Sequence, residues 1–149
     1  MRWILGTALV ASFAVASPAW SQDCSATIEA NDAIQYNLSE IRVSSSCDSF
    51  TLTLKHVGTL AKTVMGHNWV LTTTPDYEAV AMAGQAAGVD NDYVPPGDQR
   101  VLAHTTLIGG GEETSVSFDP SKLQPGADYT FFCSFPAHYV LMKGKLIVE

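Results

Sequence analysis

Phe50-Thr51-Leu52-Thr53-Leu54-Lys55 alternates apolar with polar residues, the period-two pattern of a strand with one buried and one wet face. Thr114-Ser115-Val116-Ser117-Phe118-Asp119 repeats it. Outward from these two, β-rich runs cover residues 26–30, 34–37, 40–43, 69–74, 101–108, 129–135 and 145–148. Turn signals punctuate them: Asn31-Asp32, Pro95-Pro96-Gly97, Gly109-Gly110-Gly111, Asp119-Pro120 and Gln124-Pro125-Gly126. Short strands at this spacing predict an all-β sandwich or barrel. One segment differs. Residues 76–87 are alanine-rich, with Val80, Met82 and Gln85. That composition predicts a single short inserted helix, opened by Pro75 and closed by Gly88.

The chain has 149 residues, room for one domain, and 46% of them are hydrophobic, enough for a buried core. Fifteen acidic residues against eight basic ones give a net charge of -7. Nucleic acid is thereby excluded as a partner, because phosphate binding needs a surplus of Lys and Arg. Residues 1–21 read as an export signal. Met1-Arg2 is a basic start, residues 3–16 form an apolar run too short to span a bilayer, and Ala19-Trp20-Ser21 fits a cleavage site. Cleavage after Ser21 would leave residues 22–149 as the exported domain. No later stretch is long and apolar enough for membrane insertion.

Export permits disulfides, and three cysteines leave one thiol over. Cys24 and Cys47 lie in polar surroundings and make the economical pair; Cys133 lies in the aromatic run Tyr129-Thr-Phe-Phe-Cys-Ser-Phe135. After it the sequence continues Cys133-Ser-Phe-Pro-Ala-His138-Tyr-Val-Leu-Met142. Pro136 breaks the strand, so thiol, imidazole and thioether fall on a turning loop that can aim all three at one centre. A straight strand would split them between its two faces. Thiolate with imidazole suits copper or zinc, and a thioether suits copper. Two histidines, one cysteine and a weak axial methionine form a blue-copper electron-transfer set. The second histidine is assigned to His67, in Val64-Met65-Gly66-His67-Asn68-Trp69-Val70. Gly66 lets the backbone carbonyl approach the metal, and Asn68 is placed to hydrogen-bond to the Cys133 loop.

These segments, together with Ala103-His104-Thr105 and Leu107-Ile108-Gly109, resemble the azurins, a family of blue-copper cupredoxins, over residues 22–149. The resemblance implies an eight-stranded Greek-key β-sandwich with a helical flap and one type 1 copper per chain. It implies strong equatorial ligands at His67, Cys133 and His138, and weak axial ones at Met142 and the Gly66 carbonyl. It also implies a Cys24–Cys47 disulfide and a titrating, half-buried His56 beside the site. The function implied is that of a periplasmic electron carrier, not an enzyme. It would dock briefly with redox proteins such as a c-type cytochrome and a reductase or dehydrogenase. Phe135 belongs to the water-excluding shell, and Ile34, Met65, Phe135, Ala137, Tyr139 and Val140 make an apolar docking patch around His138. Two positions depart from the family pattern: Ala137, where glycine is common, and Tyr139, where some members carry a small residue. Two other readings stand beside the carrier. One is a copper storage or delivery protein; the other is a cysteine hydrolase built on Cys133, His138 and Asn68.

Overall fold

The structure is a computed structural model describing residues 23–149; the export signal and its cleavage site lie outside the described residues. The alternating run forms a strand over Phe50–His56 (β4), with Phe50, Leu52 and Leu54 fully buried and the residues between them facing outward. Beside it lie Ser25–Asn31 (β1), paired in parallel, and Glu113–Phe118 (β7), paired antiparallel. The two-residue strand Gln35–Tyr36 (β2) completes this sheet in the order β2-β1-β4-β7.

The second sheet joins Glu40–Val43 (β3), Val70–Thr73 (β5), Ala103–His104 (β6), Tyr129–Phe132 (β8) and Lys143–Val148 (β9) in the order β3-β9-β8-β5-β6. Both faces of this sheet are covered. Tyr129 and Phe131 point into the core between the sheets, with Trp69, Leu71 and Leu146. Phe132 points the other way, to a smaller cluster with Val70 and with Val80 and Ala81 of the helix Tyr77–Ala87 (α2). The alternation carries past the end of β8, so Cys133 again faces the core between the sheets.

The sandwich and its inserted helix are as the sequence and its family resemblance predict, with nine strands among the described residues in place of the eight that the resemblance implies. Residues 101–108 pair as a ladder only over β6, because the Trp69 N–H goes to the Thr105 hydroxyl (2.9 Å) and interrupts the regular backbone pairing. The run expected to reach Phe135 ends as a strand at Phe132. Helix α2 starts at Tyr77, with Pro75 in the 3-10 turn Thr74–Asp76 before it. It ends at Gly88, whose φ of +76° needs a residue without a Cβ. A one-turn helix, Lys62–Met65 (α1), was not foreseen. Cys24 and Cys47 are joined by a disulfide that ties the start of β1 to the turn before β4. Among the described residues no helix is long and apolar enough to cross a membrane.

Candidate metal centre

The loop after β8 is closed at its base by the Cys133 N–H, which donates to the Met142 carbonyl (3.0 Å). Within it, Ala137 takes a left-handed φ of +66° and leads into a 3-10 turn over His138–Val140. The N–H groups of Leu141 and Met142 both donate to the His138 carbonyl. This tight loop brings His138 Nδ1 to 3.6 Å from Cys133 Sγ.

A second loop supplies the opposing nitrogen. His67 exchanges two backbone hydrogen bonds with Ile108 (3.0 and 2.9 Å), which fixes its main chain. Its ring Nε2 donates to the Asn31 carbonyl (2.9 Å). A carbonyl only accepts, so Nε2 carries the proton and the Nδ1 lone pair faces the sulfur, 3.7 Å away. The Gly66 carbonyl lies 3.9 Å from the same sulfur. Space rather than backbone angle demands glycine at this position: a Cβ on Gly66 would sit 2.5 Å from the Lys62 carbonyl and 2.9 Å from the Phe135 ring. Asn68 joins the two loops. Its Nδ2 donates to the Ser134 hydroxyl (2.8 Å) and the Asp92 carbonyl (2.7 Å), and its Oδ1 accepts from the Ser134 N–H (2.8 Å).

The three donor atoms lie within 4.8 Å of one another, and Cys133, His67 and His138 are all buried. Burial lowers both imidazoles to about 4, so they are neutral lone-pair donors at neutral pH. Burial pushes the Cys133 thiol up to about 12, against the pull of the Asn68 and Phe135 N–H groups on its sulfur. Two neutral nitrogens and one soft sulfur, dry and already convergent, are suited to one copper ion. Met142 is 1% exposed and packs in the same core as Cys133.

The depressed imidazoles carry a stability cost whose sign follows from linkage. Between about pH 6.5 and 4 the unfolded chain binds protons that folded His67 and His138 refuse, so the unfolded state gains as pH falls through that window. The metal-free protein is expected to lose on the order of 3–5 kcal/mol across it. Denaturant midpoints at pH 7 and pH 4 measure this. The copper-loaded protein should hold its midpoint to lower pH, because bound metal occupies the same lone pairs. A metal-free midpoint that stays level across the window would contradict the burial of the two rings.

The structure brings most of the remaining sequence-nominated residues to this end of the sandwich. The Phe135 ring lies 4.6 Å from the His138 ring and 5.4 Å from that of Tyr93. Ile34, Met65, Phe135 and Tyr139 are half-buried, and Ala137 and Val140 are exposed. Tyr139 turns aside onto α2, packing against the Phe132 cluster with its hydroxyl donating to Met82 Sδ (3.6 Å). His56 is buried rather than half-buried. Its Nδ1 accepts from the Gly58 N–H (3.0 Å), its Nε2 meets the Met65 carbonyl (2.9 Å), and its ring lies 4.5 Å from that of His67. His104 is exposed. Sequence reasoning missed the Asn31 and Asp92 carbonyls, Ser134, and the Tyr36 hydroxyl that donates to the Asn68 carbonyl. It also missed the exposed apolar side chains of Leu60 and Leu141. For these last, a count of apolar residues in the two site loops would have served as a signal.

Comparison with known proteins bears on this site. Residues 22–149 match the sequence profile of a family described as copper binding proteins, plastocyanin/azurin family. An azurin of Achromobacter denitrificans is 57% identical over 133 residues, covering 89% of each chain. One from Pseudomonas aeruginosa is 50% identical over 135 residues, covering 91% of each. Among solved structures, the azurin Az-iso2 of the methylotroph Methylomonas sp. strain J superposes with a TM-score of 0.82 at 46% identity. The match covers 85% of this chain and 98% of that one.

Proposed function

Because the chain belongs to the plastocyanin/azurin family of copper-binding proteins, we propose that it is a periplasmic blue-copper electron carrier. It passes single electrons between a c-type cytochrome and a reductase or dehydrogenase. The observation that carries this reading is the convergence of His67 Nδ1, Cys133 Sγ and His138 Nδ1 in a buried, neutral and hydrogen-bonded frame. These three would hold the copper strongly, with Met142 and the Gly66 carbonyl as weaker donors. Residues 1–21 are assigned as the leader, removed after Ser21, and residues 22–149 as the single working domain.

Copper, when bound, supplies one-electron cycling between Cu(II) and Cu(I). The chain's own residues keep that cycling fast by not moving. The His67 ring is held by the Asn31 carbonyl, the Cys133 loop is closed on Met142, and Asn68 fixes the two loops to each other. Met142 and Phe135 exclude water, which favours the less charged state. His138 is the exit: only 4% of it is exposed and its ring lies 4.6 Å from that of Phe135, so a partner must come into contact to take an electron.

Two features weigh against the other readings. Cargo delivery favours mobile, exposed donors, whereas Cys133 and Met142 are locked in the core. A hydrolase needs an accessible thiolate, whereas the Cys133 thiol has no exposed surface and is raised to about 12. The decisive experiment adds copper(II) to the purified protein. Intense red absorption that ascorbate bleaches is expected, and a colourless product would overturn the reading.

Met142→Leu is expected to retain copper and raise the reduction potential by on the order of 50–100 mV, where about 59 mV is tenfold in a one-electron equilibrium. The exchange removes a weak donor to the more charged state and leaves an apolar side chain of similar volume. Voltammetry with metal analysis checks it; loss of the metal would contradict a role as a weak donor.

A further inference from the structure

We infer that the copper end of this protein docks a partner whose own electron-transfer face is basic. The inference rests on the carrier reading above. Five connecting segments meet at the donor atoms. Residues 31–34 reach them through the Asn31 carbonyl on His67, and residues 57–66 end at Gly66. Residues 88–93 are held by the Asp92 carbonyl on Asn68, residues 108–112 pair with His67 through Ile108, and residues 133–142 carry Cys133 and His138.

Two independent features concentrate on these segments. Six of the nine large apolar side chains exposed among the described residues lie there: Val57, Leu60, Val64, Val89, Val140 and Leu141. The same segments carry four acidic residues, Asp32, Asp90, Asp92 and Glu112, against the single base Lys62. Most other bases are spent elsewhere. Arg42 pairs with Glu40 and Glu149, Lys55 with Glu113, Arg100 with Asp98 and Lys145 with Asp128. The exposed apolar side chains on these segments supply a dry contact, and the acidic residues that share the segments form a frame that sets the sign of the field a partner meets on approach. The acidic frame matches a basic redox protein and repels an acidic one.

The test measures bimolecular electron transfer, from low to high salt, between the copper-loaded protein and a basic c-type cytochrome, then the same cytochrome with its lysines succinylated. The native cytochrome should react about tenfold faster at low salt, an advantage that vanishes at high salt. A D32N/D90N/D92N/E112Q variant should lose that advantage. A D23N/D48N/D119N/E149Q variant, equal in charge but altered at the opposite end, should keep most of it. Asn and Gln preserve the acceptor oxygens used by Thr59, Leu107 and Gly109, and an unchanged copper spectrum verifies folding. Equal losses in the two variants, no loss in either, or a wild-type preference for the succinylated protein would overturn the inference. Failure to exchange electrons with both cytochromes at every salt concentration would instead overturn the carrier reading.

Discussion

Cys133→Ser should fold, and should show none of the intense red absorption on addition of copper(II). The folding half follows from the site. Cys133 is fully buried at the end of the central strand β8, where its sulfur accepts from the Asn68 and Phe135 N–H groups. A serine oxygen accepts from the same donors, so the change costs about 1–2 kcal/mol for a smaller, more polar atom in a dry place. The spectroscopic half follows from chemistry. The colour requires a thiolate, and an alcohol of ordinary acidity gives no comparable covalency beside two neutral imidazoles. Titration with copper(II), followed by visible absorption and by metal analysis, separates loss of colour from loss of metal. A band of undiminished intensity would remove Cys133 from the site, and with it the carrier reading.

How much of this was legible beforehand can be seen residue by residue. Phe50, Leu52 and Leu54 were readable because burial on one face of a sheet imposes period two on the sequence. The convergence of Cys133 with His138 was readable because their side-chain chemistry is rare and they lie within one loop. What holds them was not readable. The Asn31 and Asp92 carbonyls belong to the main chain, which is the same at every position and leaves no mark in the choice of residue. The interruption around Trp69 arises from one hydroxyl, Thr105, standing in for a backbone acceptor, and that choice depends on a contact 36 residues away. Ala137 is an intermediate case. Glycine is common there in the family that the sequence resembles, and the structure supplies the cause, a φ of +66°. The methyl group is tolerated at roughly 1–2 kcal/mol of local strain. Ile34, Asp92 and Tyr93 are the other non-glycine residues with positive φ among the described residues. Ile34 and Asp92 lie in turns whose carbonyls, at Asn31 and Asp92, hold His67 and Asn68. Such strain persists where the surrounding contacts over-determine the backbone, as they do in the loops that fix the donor atoms.

Asn68→Leu is the sharpest probe of that fixing. The side chain is fully buried and has the branching and heavy-atom count of leucine, so the exchange removes hydrogen bonds without opening a cavity, while the bulkier methyl groups add to the loss by overpacking. Three groups lose their partner: the Asp92 carbonyl, the Ser134 hydroxyl and the Ser134 N–H. A buried polar group left unpaired costs about 1–3 kcal/mol, and the Ser134 hydroxyl can rotate to a new partner where the main-chain groups cannot. The expected loss in the metal-free protein is therefore about 3–5 kcal/mol, or roughly 10–20 °C in melting temperature. Asn91→Leu is the control. Its Nδ2 bonds the Ala87 carbonyl at the exposed end of α2, and its removal should cost under about 1 kcal/mol. The site adds a second readout. With the side-chain bonds between the His67 and Cys133 loops gone and only the Asn68 N–H left on the sulfur, donors now held 3.7 Å apart gain freedom to separate, so copper should leave Asn68→Leu faster than it leaves Asn91→Leu. Loss of stability with unchanged copper release would assign Asn68 to folding alone; unchanged values for both would mean that the two loops are held together by Ile108 and the core without it.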